Sequence, residues 1–123
     1  MLAVRLNVTT DESGNGEATQ TPKAGGYSYL LFAVEWIDGD YADGVDAVLS
    51  CVNSVSGVDR TLLTLTDANN DKVYYPRHLE QDEVGGNLTS RALPVVSGDL
   101  KLAIAQGGNA KTGGCVVYLV EVA

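Results

Sequence analysis

Leu100-Lys101-Leu102-Ala103-Ile104 and Cys115-Val116-Val117-Tyr118-Leu119-Val120-Glu121-Val122 flank Gly107-Gly108-Asn109-Ala110-Lys111-Thr112-Gly113-Gly114, and this closing stretch decides the fold class. Both flanking runs read as strands. The four glycines and the Asn between them suit a β-hairpin with a long, flexible tip, because Gly adopts positive φ at no steric cost. The same punctuation recurs outward along the chain.

On its N-terminal side, Leu93–Val96 leads through Ser97-Gly98 into that hairpin. Glu80–Arg91 is polar, with Gly85-Gly86 at its middle, and reads as an extended loop or arm. Lys72–Tyr75 is a short aromatic strand cut by Pro76, and Arg60–Thr66 is a strand ending in Asp67-Ala68-Asn69-Asn70-Asp71. Val45–Val52 carries β-branched residues, although Asp43–Cys51 is the one place where a short helix competes. Tyr27–Ile37, opened by Gly25-Gly26 and closed by Asp38-Gly39-Asp40, is rich in residues that favour strand over helix. At the start, Leu2, Val4, Leu6 and Val8 alternate with Ala3, Arg5 and Asn7, the period of a half-buried strand. A polar turn over Asp11–Gly16 follows, and Glu17–Thr21 returns as an edge strand stopped by Pro22, which has no N–H for a ladder. No stretch sustains helical periodicity. Roughly six to eight strands with frequent turn signals predict an all-β chain, an antiparallel β-sandwich or jelly-roll-like domain with long Gly-rich loops.

The length, 123 residues, suits one domain over 1–123 with its own core. Hydrophobic residues make up 45% of the chain and mean hydropathy is +0.02, neither a disordered nor a membrane composition. The longest apolar stretch, Leu30–Val34, is far short of the ~20 residues of a spanning helix. Met1–Leu6 lacks the apolar run of a signal peptide, so a cytoplasmic origin is expected. Sixteen acidic against eight basic residues give a net charge of −8, with no Lys/Arg cluster. Nucleic acid is therefore disfavoured, since its phosphates need a basic footprint. The acidic balance suits solubility or a partner with a basic face. Cys51 and Cys115 both fall in strand-like runs and are expected to be buried free thiols rather than a bridge.

Few residues suggest chemistry. Asp67, Asn69 and Asp71 have the spacing with which a calcium loop begins, but Lys72 and His78 stand where Gly and a bidentate Glu are needed. A polar turn is expected there, with no metal and no cofactor anywhere. His78 lies near Glu80, Asp82 and Glu83, yet no nucleophile signature accompanies it. The Lys111-Thr112 pair after Gly107-Gly108 is no phosphate loop: Ala110 precedes the Lys, and a strand follows where a helix is required. Asn7-Val8-Thr9 and Asn87-Leu88-Thr89 match the glycosylation sequon by chance if the chain is not exported. Tyr74-Tyr75-Pro76-Arg77 reads equally well in two ways. It is either an aromatic and cationic knuckle of the kind enriched at interfaces or a strand end packing its tyrosines on the core.

Three ordered segments carry a family likeness: Val8–Thr19, Val73-Tyr74-Tyr75-Pro76-Arg77, and Ala105-Gln106-Gly107-Gly108-Asn109-Ala110-Lys111-Thr112-Gly113. In that order, and with the Gly-Asp and Asp-Gly turn after Trp36, the chain resembles a family of small β-rich virion proteins of tailed bacteriophages and prophages. The resemblance spans nearly the whole chain and implies a structural component of the virion without catalytic residues. The expectation drawn from it is a head decoration (cement) protein, not an enzyme. It would be made in the host bacterial cytoplasm and bound as a homo-oligomer, such as a trimer, to the major capsid protein on the capsid surface, with no nucleic acid or membrane partner. Candidate contact residues are Tyr74, Tyr75, Arg77, Asn109 and Lys111, with the Asp11–Gly16 turn. The alternatives are a head–tail connector, tail or baseplate component, and a phage-encoded hydrolase using His78 or an acidic pair.

Overall fold

The computed structural model of the chain describes residues 1–22, 28–52 and 56–122. Its strands are β1 (Leu2–Thr9), β2 (Gly16–Gln20), β3 (Ser28–Ile37), β4 (Asp46–Val52), β5 (Asp59–Leu65), β6 (Lys72–Tyr74), β7 (His78–Gln81), β8 (Asn87–Ala92), β9 (Val95–Val96), β10 (Asp99–Ala105) and β11 (Thr112–Val122). No helix occurs among the described residues. The expected opening of the β3 run at Gly25-Gly26-Tyr27 lies outside them.

All pairings are antiparallel. One sheet runs β1-β11-β3-β6, with β9 also paired to β3; the other runs β2-β10-β4-β5. These pairings describe one long antiparallel ribbon. β1 pairs β11, β2 pairs β10, β3 pairs β6 and β9, and the β4–β5 hairpin forms the far end. The ribbon is wound over itself so that β11 meets β3 and β10 meets β4. That winding is a jelly roll, two sheets closed over one core. Alternation aims Val4, Leu6, Val8, Leu31, Trp36, Leu49, Leu100, Leu102, Val117 and Leu119 inward, all buried.

Two expectations change, and two open readings are decided. The closing hairpin is not a hairpin: β10 is already flanked by β2 and β4, and β11 by β1 and β3, so the segment between them crosses from one sheet to the other. A period-two run states which face of a strand is apolar and says nothing about which strand lies beside it. Nor is the tip loose. Gly107 N–H donates to Gly14 O at 2.9 Å, Ala42 N–H to Gly107 O at 3.0 Å, and the Thr10 hydroxyl to Gly108 O at 2.6 Å. Its glycines serve close approach, since a Cβ on Gly114 would collide with the carbonyl oxygen of Leu6. Of the two readings of Glu80–Arg91, extended loop or arm, the structure shows the arm, in which β7 and β8 pair. Where a short helix competed over Asp43–Cys51, the chain turns at Asp43-Gly44 and runs as strand β4 from Asp46, between β10 and β5.

Candidate functional site

The winding gathers the connections β1–β2, β3–β4, β5–β6 and β10–β11 at one end of the sandwich. Aspartates crowd there, and their carboxylates accept backbone N–H groups. Asp71 takes the N–H of Asp38 at 2.8 Å, Asp46 that of Asp67 at 3.0 Å, and Asp40 that of Thr112 at 2.6 Å; the Asn69 side chain takes that of Gly44 at 2.7 Å. Asn69 and Asp71 thereby tie the β5–β6 connection to the β3–β4 connection, and Asp67 is held through its backbone N–H by Asp46 at the start of β4. Asn109 and Lys111 sit at this end as well. The buried, desolvated Oδ1 of Asp38 has no hydrogen-bond partner, and burial, then Asp71 and Asp43, push that carboxyl above its ordinary range.

The two sheets present different outer faces. On the β2-β10-β4-β5 sheet, Glu17 and Thr19 stand beside Ala103 and Lys101, and Lys101 pairs with Asp59 at 3.0 Å. That is the mostly polar exterior expected of a sandwich, with Val48 its one large exposed apolar side chain among the described strand residues. The β1-β11-β3-β6 sheet is largely apolar on its exterior, with Glu35 and Arg5 as its charged members. Val95, Leu30 and Val120 are in register across β9, β3 and β11; Ala33, Tyr118 and Ala3 across β3, β11 and β1; Val73, Glu35, Val116 and Arg5 across β6, β3, β11 and β1. Val73 is 42% exposed, Val95 47% and Phe32 38%. The Tyr118 hydroxyl donates to Glu35 at 3.0 Å, so the carboxylate on this face is hydrogen-bonded within it.

Here the structure separates the residues of the Tyr74–Arg77 knuckle. Tyr74 turns inward and packs against the core, with Lys72 over its ring. Tyr75 turns outward, 60% exposed, and meets Phe32 edge-on at 6.1 Å. The Arg77 guanidinium lies 5.9 Å from the Phe32 ring centre and donates to Phe32 O at 3.1 Å and Pro76 O at 2.7 Å. Phe32 is the residue sequence reasoning passed over. Its signal was the uninterrupted apolar run Leu30–Val34, since a strand with one wet face alternates and a strand apolar on both faces does not.

A cleft of about 470 Å³ opens at the sandwich edge between β5 and the base of the arm, lined by Arg60, Thr61, Leu62, Arg77, His78, Pro94 and Val95. Arg60 reaches across it to Val95 O at 3.1 Å and Ser97 Oγ at 3.2 Å. The His78 ring nitrogen Nδ1 contacts its neighbour's carbonyl, Leu79 O, at 3.0 Å. No carboxylate stands within ion-pair distance of Arg60, Arg77 or His78 among the described residues. Arg60 and Arg77 are far apart in sequence, and only the ribbon winding makes them neighbours.

No family model, curated protein or solved structure matches this chain.

Proposed function

We propose that this is a non-catalytic virion structural protein, a capsid decoration protein that binds as a homo-oligomer to the outside of a major capsid lattice. The observation that carries the reading is the difference between the two outer faces. A sheet whose exterior presents Leu30, Phe32, Val73, Tyr75, Val95, Val116 and Val120 is built to be covered, and large exposed apolar patches mark interaction surfaces. Within it, Tyr75 and Phe32 join Arg77 in the aromatic and cationic grouping enriched at binding hot spots. The net charge of −8 suits a shell surface presenting basic residues, where complementarity orients and speeds docking. Jelly rolls serve in viral capsids and equally in lectins and cupins, so the reading rests on the face and on the sequence resemblance rather than on the fold.

The test is co-sedimentation of purified protein with filled phage heads and, separately, with tails. Wild type is expected to sediment with heads at a saturating copy number. Tyr75→Ala should weaken binding about thirtyfold, the effect of ~2 kcal/mol at a central anchor, with an unchanged melting temperature. Sedimentation with tails instead would select the connector or tail reading, and retention of head binding by Tyr75→Ala would move the interface off this face.

A further inference from the structure

Among the described strands, the β7–β8 arm is the least supported. Its strands pair with each other and with no other strand, and a two-stranded hairpin alone is marginally stable in water. It also carries apolar side chains into solvent: Val84 is 86% exposed and Leu88 45%. The tip is nevertheless set firmly. Asp82 Oδ1 accepts the N–H groups of Val84 at 3.0 Å and Gly86 at 2.7 Å, while its backbone N–H donates to Gly86 O at 2.8 Å. This local lock holds Glu83 and Val84 outward, one acidic and one apolar, already in a fixed shape. A preformed tip loses little freedom on docking.

The cleft at the base of the same arm has the opposite character. Arg60, Arg77 and His78 supply positive or protonatable groups, and Leu62, Pro94 and Val95 supply apolar wall. Both arginines are held in place by backbone carbonyls and neither has a carboxylate counterpart among the described residues, in a chain with twice as many acidic as basic residues. An acidic and apolar knob therefore stands at one end of the arm and a cationic and apolar socket at the other. Strands rise ~3.3 Å per residue, so the four residues of β7, paired to β8 through a ladder that shifts register between Leu79 and Gln81, keep knob and socket roughly 13 Å apart. Held at that distance, the knob does not fill its own socket, and the complementary socket that the structure does show is the one on a second copy.

We propose that the Glu83-Val84 arm tip of one copy docks in the Arg60–Arg77–His78 cleft of the next, joining copies head to tail into a closed ring. Heterologous contacts of this kind close into rings when the rotation between copies allows. The docked arm buries Val84 against Leu62, Pro94 and Val95 and places the Glu83 carboxylate between the guanidinium groups. The inference rests on the self-association in the proposed function, not on its shell binding, and the experiment scores the two separately.

Two exposed-site variants test it by sedimentation velocity over a micromolar concentration series. The arm variant is Glu83→Arg with Val84→Asp; the cleft variant is His78→Glu. Wild type is expected to be a closed oligomer, and each variant alone should dissociate at least tenfold more readily with its melting curve intact. Mixed in equal amounts, they should form a one-to-one heterodimer, because the arm variant keeps a sound cleft and the cleft variant a sound arm. A monomeric wild type, a variant that stays oligomeric, or a mixture that stays monomeric overturns the proposal. The same samples are then added to filled heads. An oligomer that ignores heads sinks the decoration reading and leaves the arm contact standing, whereas a monomer that coats them does the reverse.

Discussion

Tyr41 lies nearly flat on Trp36, ring centres 5.8 Å apart and planes 20° from parallel, and its hydroxyl donates to Val8 O at 2.6 Å. Trp36 in turn donates through Nε1 to Ala68 O at 2.9 Å. One stacked pair thus fastens the β3–β4 connection to strand β1 and the β5–β6 connection to strand β3, all inside the core. The four connections at this end behave as a woven cap rather than as separate loops.

Tyr41→Phe keeps the stack and removes the hydroxyl, leaving Val8 O buried without that donor. Urea unfolding followed by the fluorescence of Trp36, the chain's single tryptophan, should show a loss of about 1–2 kcal/mol. Tyr41→Ala also opens a cavity under the indole and should cost about 3–5 kcal/mol. Equal losses for the two would mean the hydroxyl carries the whole contribution.

Gly114→Ala sets a methyl group against the Leu6 carbonyl oxygen, in the ladder that joins the first and last strands. The backbone on either side is locked, so about 3 kcal/mol or more should be lost, at the upper end of overpacking effects. Gly57→Ala is the control. It meets nothing within 4 Å and has φ +71, so it should cost only about 1–2 kcal/mol from its left-handed backbone. Thermal melts of both variants decide it.

Asp38→Asn should stabilise the protein near neutral pH. The folded-state pKa of Asp38 lies above its ordinary 3.8 through burial and the nearby Asp71 and Asp43. A raised carboxyl favours folding while protonated, so its contribution is complete below the unfolded value and is lost as pH rises through the folded one. Melting curves should therefore place the variant above wild type at about pH 7 and bring the two together near pH 3. A gain that persists in acid would point to the amide making a new hydrogen bond.

Alkali should unfold the chain cooperatively. Burial pushes the Tyr41 hydroxyl up to about 12 from 10.0 and the Cys115 thiol up to about 12 from 9.0. Both favour folding while neutral, so that stability is full below the unfolded values and falls as pH climbs toward 12. Circular dichroism should hold steady to about pH 9 and collapse above it. A disulfide-forming thiol reagent at about pH 8 should modify neither Cys51 nor Cys115 in the native protein, both being buried and free, and both in urea. Rapid native labelling would contradict their place in the core.

The strands, their inward faces and the chain's all-β character were legible in local pattern, because side-chain alternation is a property of neighbouring residues. Leu2–Val8, Arg60–Thr66 and Lys72–Tyr75 match β1, β5 and β6 to within a residue or so. The apolar exterior of β3 was legible in part, in the unbroken run Leu30–Val34, although which residues would share that face was not.

What local pattern could not decide is who lies beside whom. Leu2 pairs with Leu119 and Leu100 with both Gln20 and Cys51, contacts set by how the ribbon winds. For that reason the Gly107–Gly114 segment turned out to be a crossing between sheets, Tyr74 and Tyr75 were divided between core and surface, and Arg60 and Arg77 met at one cleft. By itself the sequence determined which faces are apolar; only the tertiary structure decided which faces meet, because strand pairing is a long-range choice made by the whole chain burying its core at once.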